Sequence, residues 1–220
     1  MHITELFLKL ALLGAEWVMY LLIGCSVLSV TIIIERIFYF ARFRGDFAEF
    51  IKELTDRLNG NESPQIVSAW CSGQKMLEAQ VAAVGLERAT STLRSVEESM
   101  NATLIGARTR LDRGLTILGT LGSNTPFIGL FGTVIGVIQA FHALATNKSA
   151  GPEVVMASIS EALVATAIGI LVAVPATVAY NILLRSIRKK MANAETVARV
   201  VLTHLGAAPD GAARSDSAEV

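Results

Sequence analysis

The sequence predicts an all-α membrane protein: three transmembrane helices, with a helical insert between the first and the second. Three observations predict it. Hydrophobic residues make up 52% of the chain and charged residues only 17%, against about 25% charged in an ordinary soluble domain. Three stretches meet the length of about 20 apolar residues that carries a helix across a bilayer. No segment sustains the alternation of a strand. Mean hydropathy is +0.52, which excludes a disordered chain and argues against a purely cytosolic enzyme. Nineteen basic and nineteen acidic residues cancel, so charge makes no case for nucleic acid. Two cysteines cannot build a disulfide framework. Cys25 lies in an apolar run and Cys71 in a polar one, and neither reads as bridged.

Each element follows in order. Residues 1–15 read as an N-terminal stub and 16–40 as the first span, containing WVMYLLIGCSVLSVTIII. A cleaved signal peptide fails here, because no basic region precedes the run and no small-residue cleavage site follows it. Residues 41–114 form a polar insert. Phe47, Phe50, Ile51, Leu54 and Leu58 recur at helical spacing, and Asn59-Gly60-Asn61 breaks that helix. Ser63-Pro64 has the form of an N-cap with proline at the first helical position. No proline interrupts from Gly73 to Arg113, so the insert reads as two or three helices, the last running into span two. The second span covers 115–145, a short loop TNKSAGPE covers 146–153, and the third span covers 154–184. Residues 185–220 read as a helix followed by a short, polar, disordered tail. No internal repeat is visible.

Basic residues set the orientation. Arg36, Arg42 and Arg44 follow span one, Arg108, Arg110 and Arg113 precede span two, and Arg185, Arg188, Lys189 and Lys190 follow span three. The positive-inside rule places the N-terminus outside and the C-terminus in the cytoplasm.

Polar residues inside spans carry the functional signal. Glu161 lies in span three, where an acid is costly and marks a function by default. Two structural readings stand beside that one: a hydrogen-bonded helix lock, and a position near the headgroups roughly 10 Å into the span. Thr133 lies 17 positions before Ala150 and Thr166 lies 16 after it, so an antiparallel hairpin holds both at one depth. The same arithmetic sets Gln139 level with Glu161. These threonines have a bland reading too, bonding their own i−4 carbonyls. Glu161 and Thr166 are about 140° apart around the helix and share no narrow face. Small residues form stripes, Gly129, Gly132, Gly136 and Ala140 in span two, and Ser158, Ala162, Ala165, Gly169, Ala173 and Ala176 in span three. These are contact faces for close helix packing, more than one hairpin uses, so they imply self-association into a ring. Pro126 and Pro175 interrupt their spans, either as a mild kink or as a functional bend.

No Walker A loop, G-x-G-x-x-G, H-E-x-x-H, C-x-x-C or nucleophile elbow occurs. His2, His142 and His204 are too scattered for a metal site. The chain reads as no enzyme, with no cofactor, and energy for any work comes from elsewhere.

The run from Asn124 through Thr-Pro-Phe-Ile-Gly-Leu-Phe-Gly-Thr to Val137 resembles the second-span signature of the ExbB/TolQ/MotA proton channel family. Ile159-Ser-Glu-Ala-Leu-Val-Ala-Thr-Ala-Ile-Gly, then Val174-Pro-Ala and Tyr180-Asn181, resembles its third-span signature. The likeness is close over residues 115–190, weaker over span one, and architectural over the insert. Three spans and a short external N-terminus point to the ExbB/TolQ branch. The resemblance implies a pentamer in the bacterial inner membrane, in contact with lipid, around the helices of an ExbD- or TolR-like single-span partner that carries the titrating aspartate. It implies protons as the driving ion and force passed to a TonB- or TolA-like envelope partner. By motif position Thr133, Glu161 and Thr166 correspond to pore residues. Pro126, Pro175, Tyr180, Asn181 and Arg185 fall on structural or coupling positions. The alternative is a non-conducting scaffold that stabilises a single-span partner, which function independent of the proton gradient would favour. A solute transporter is disfavoured by the lack of an inverted repeat. The pathway served, whether uptake, envelope maintenance or gliding, stays open.

Overall fold

A computed structural model of the chain describes residues 16–41, 45–60, 62–146 and 152–207. The N-terminal stub, most of the 146–153 loop and the end of the tail lie outside the described residues. Seven helices occur among those described: α1 Glu16–Ala41, α2 Phe47–Asn59, α3 Pro64–Ser72, α4 Leu77–Glu87, α5 Leu93–Asp112, α6 Leu115–Thr146 and α7 Pro152–Ala207. Three segments are long and apolar enough to cross a bilayer: Glu16–Ala41, Leu93–Thr146 and Val155–Ala207. The chain is a multi-pass membrane protein built from helices.

The insert differs from expectation in two ways. It holds four helices, α2 to α5, rather than two or three, because breaks fall at Gly73–Met76 and Arg88–Thr92 as well as at Gly60. The last of them does not run into span two. Arg113 turns to an extended conformation (ψ 131°) and Gly114 takes φ +77°, which ends α5 and starts α6. A left-handed φ is open to glycine because it has no Cβ. Neither internal proline ends its helix: α6 continues through Pro126 and α7 through Pro175.

The chain divides into two compact units. The first contains α1 up to Ile37, α6, and α7 up to Leu183. Val18, Leu22, Ile135 and Ala165 form its buried centre, with Met19, Ile128 and Ile168 against them. Large apolar side chains also cover its outside: Tyr20 and Leu171 are each 71% exposed and Phe127 67%. Helices apolar on all sides belong in lipid. Inside a bilayer no hydrophobic force joins helices, so small residues and van der Waals contact do. The predicted stripes lie largely at those contacts within the one chain, where Ala140, Ala162, Ala165, Ala173 and Ala176 are buried, so contrary to expectation the stripes by themselves carry no argument for a ring. A Cβ added at Gly129 would lie 2.8 Å from the Ala165 carbonyl oxygen and 2.9 Å from the Thr166 Cα, so α6 and α7 touch there backbone to backbone.

The second unit contains α2 to α5 with α7 from Leu184. Asp46 caps α2, its Oδ1 accepting from the Ala48 N–H at 2.9 Å. Of the predicted apolar face, Phe50, Leu54 and Leu58 are buried, while Phe47 and Ile51 are half-buried. Ser63 stands at the N-cap of α3 as expected, but its hydroxyl makes no capping bond. Trp70 stacks on Phe50 with ring centres 5.4 Å apart, and the Arg57 guanidinium lies 4.8 Å from the Trp70 ring centre. In α4, Ala79, Val81, Ala82 and Leu86 have no exposure. Val96, Met100, Leu104, Ala107 and Leu111 are the buried line of α5, and Ala194, Val197, Ala198 and Val201 that of α7. Cys25 and Cys71 are both free thiols. Burial pushes the Cys71 thiol up to about 12, with the Arg57 charge acting in the opposite direction. The fold thus favours the protonated thiol. That contribution is complete below pH 9.0 and is lost as pH rises toward about 12.

Two predictions follow from this packing. Gly129→Ala should lower the melting temperature in detergent, since the overlap costs about 1–3 kcal/mol, and Gly114→Ala should cost about 1–2 kcal/mol through its backbone alone. An unchanged melting temperature in either variant would contradict the close contact or the left-handed turn. Cys71 should resist iodoacetamide at pH 8 in the folded protein and react once it is denatured, as read by intact mass.

Candidate functional site: the threonine pair of the α6–α7 hairpin

Contacts along α6 and α7 fix their register. A Cβ at Gly119 would meet the Tyr180 ring at 3.1 Å. One at Gly132 would meet the Ala165 Cβ at 2.9 Å, and one at Gly136 the Ala162 Cβ at 2.5 Å. Rising numbers on α6 pair with falling numbers on α7, as antiparallel helices require. Thr133 follows Gly132 and Thr166 follows Ala165, so the two threonines sit at one level.

They also share a side. One step along a helix is a turn of about 100°. Because α6 and α7 run oppositely, one step from the Gly132–Ala165 contact carries both side chains to the same side of the pair. Ile128, Ile135 and Ile168 turn the other way, and they pack with Val18, Leu22 and Met19 of α1. The threonines therefore occupy the side that α1 does not cover.

Their hydroxyls differ. Thr133 Oγ1 donates to the Leu130 carbonyl at 2.6 Å, an i−3 bond within its own helix. Thr166 Oγ1 is buried and has no hydrogen-bond partner among the described residues. The Thr166 Cα lies against Gly129, where the backbones meet. Such an atom is rare, since a buried hydroxyl without a partner keeps its desolvation cost.

Glu161 does not join the pair. It stands four residues before Ala165, which turns it about 40° toward the α1 side, and about 7.5 Å from Thr166 along the axis. The residue is exposed, and no described residue bonds to it. Gln139 is half-buried and holds a partner. Of the other residues singled out, Pro126 is half-buried, and Pro175 lines a groove of about 310 Å³ between α1 and α7. Tyr180 packs over Gly119, Asn181 is exposed, and Arg185 is exposed and belongs to the second unit.

Sequence reasoning passed over two polar residues of this unit. Thr125 is fully buried and its hydroxyl donates to the Leu121 carbonyl. Its spacing of four from Gly129 and seven from Gly132 was the available signal, since it extends the small-residue stripe by a turn. Ser29 is 2% exposed with its hydroxyl unpartnered among the described residues. Nothing in its apolar surroundings in the sequence marks it.

A valine at 166 keeps the shape and removes the unpartnered hydroxyl. Thr166→Val should therefore raise stability, by about 1 kcal/mol, as a higher melting temperature in detergent. A lower one would mean that the hydroxyl does have a partner.

Residues 73–196, more than half of the chain, match the model of the MotA/TolQ/ExbB proton channel family. The chain is 31% identical over 197 residues to the Tol-Pal system protein TolQ of Haemophilus influenzae, an alignment covering 82% of this chain and 83% of that one. It is 35% identical over 115 residues to the biopolymer transport protein ExbB of Aquifex aeolicus, covering 52% and 77%. It is 45% identical over 92 residues to ExbB of Salmonella typhimurium, covering 42% and 38%. The matched region contains both signature runs, and members of this group are channels rather than enzymes. The family match over more than half of the chain and these relatives together identify it as a member of the MotA/TolQ/ExbB proton channel family.

Proposed function

We propose that this chain is a proton-conducting motor subunit of the bacterial inner membrane, coupling the proton motive force to mechanical work on an envelope or outer-membrane partner. One observation carries the reading: Thr133 and Thr166 lie at one level, on the side of the hairpin away from α1. Hydroxyls accept and donate protons without placing an ion in lipid. A helical threonine uses two χ1 rotamers, and a switch between them takes the Thr166 hydroxyl from its buried position to the open side. Glu161, exposed and nearer the hairpin loop, collects protons on the outer side. Pro126 and Pro175 shape the two helices, while Tyr180, Asn181 and Arg185 carry the coupling toward the cytoplasmic end.

In this reading five copies ring the helices of an ExbD- or TolR-like single-span protein, whose aspartate takes the proton from the threonine level. The N-terminus faces the periplasm and the C-terminus the cytoplasm. One proton yields about 2.3 kcal/mol per 100 mV, so several act together to move a TonB- or TolA-like partner. Relatives named for the Tol-Pal system and for biopolymer transport support both of those processes equally.

The test is proton flux in vesicles holding the complex, beside its native mass. Glu161→Ala and Thr166→Ala should each bring flux to background while the mass is unchanged. Loss of assembly in either variant would leave the conducting role of that residue unsupported, full flux in both would exclude the two residues from the path, and absence of flux in the unaltered complex would favour the non-conducting scaffold.

A further inference from the structure

The second unit contains a cavity of about 510 Å³, lined by both charged and apolar side chains, that the proposed conduction path does not use. Glu78, in the first turn of α4, lines it and is only 2% exposed. Its Oε1 lies 3.5 Å from Asn193 Nδ2, the outer limit of a hydrogen bond. Its Oε2 is buried with no partner among the described residues. A carboxylate oxygen in that state is strongly disfavoured unless a donor arrives. Asp46 brings a second carboxylate to the cavity, with Oδ1 already held by the Ala48 N–H. Lys189 and Lys190 bring two ammonium groups. Lys189 is exposed and makes no ion pair among the described residues.

The lining therefore presents two charges of each sign. A ligand of one sign would meet a like-charged pair, whereas a ligand with both signs finds a partner at each end. Phe47 and the buried Met76 add an apolar wall. We propose that the cavity binds a zwitterion of free amino-acid type. Its ammonium group donates to Glu78 with Asp46 nearby, its carboxylate accepts from the lysines, and its apolar side chain lies against Phe47 and Met76. Charge-assisted contacts at both ends give the site its selectivity. This site stands on the second unit alone and does not depend on the proton-conducting reading.

The experiment is calorimetric titration of the full-length chain, purified as its native complex, with leucine and its two single-charge analogues, isoamylamine and 4-methylpentanoate. Leucine should bind saturably, and each analogue should bind roughly tenfold or more weakly, having lost one charge-assisted contact. Glu78→Gln and Lys189→Ala should each weaken leucine by a similar factor. Lys189 is on the surface, so its removal leaves the fold intact, and a melting curve checks Glu78→Gln. Isoamylamine binding as tightly as leucine would make this a simple cation site and overturn the proposal, and 4-methylpentanoate doing so would make it an anion site. Absence of saturable binding for any common amino acid, or unchanged leucine affinity in both variants, would overturn it as well.

Discussion

At Gly129 the backbone of α6 rests on the backbone of α7, and no side chain fits between them. The rest of the membrane unit depends on that contact. It fixes the register, which sets Gly132 against Ala165 and Gly136 against Ala162. Register in turn decides which residues share a level and which share a side. The groove on one side receives Val18 and Leu22 of α1. The other side keeps the threonines. Lipid offers no hydrophobic drive for any of this, so contact distance is the organising quantity.

The second unit follows the logic of water. Its helices are shorter, capped by Asp46 and Thr92, and amphipathic along most of their length. Helix α4 is the exception, buried over most of its length and flanked by α3 and α5. Buried groups there are mostly apolar or locally satisfied. Ser68 donates to the Ala83 carbonyl at 3.1 Å, while nearer the surface the partly exposed Arg57 holds Glu53 at 2.9 Å. Glu78 is the departure from that pattern.

Polar atoms separate into two groups across the protein. Most membrane hydroxyls turn back to a carbonyl three or four residues earlier, as Thr120, Ser123, Thr125 and Thr133 do. That habit satisfies a hydroxyl within its own helix and hides it from lipid at little cost. Thr166, Ser29 and Glu78 do not follow it. A buried polar atom left without a partner calls for an explanation, and something it meets during function or on binding is one. For Thr166 the explanation offered is proton transfer, and for Glu78 a ligand ammonium.

Much of this was legible in the sequence, because length and periodicity act locally. Three apolar runs fixed three long helices, since backbone groups in lipid have to be satisfied within the segment. The spacing of Gly129, Gly132 and Gly136 marked the contact face, and the nearly equal distances of Thr133 and Thr166 from the loop anticipated their common level. The break at Gly114 was not legible, since a lone glycine between helical stretches is compatible with continuation and only the surrounding fold selects its positive φ. The breaks before α4 and α5 were missed because neither contains a proline. Tertiary structure alone decided which side of the hairpin α1 covers, because that depends on shape across helices far apart in the chain. It alone left the Thr166 hydroxyl and one Glu78 carboxylate oxygen without a partner among the described residues. Satisfaction of a buried polar atom is a property of its neighbours in space, and a linear pattern contains no record of them.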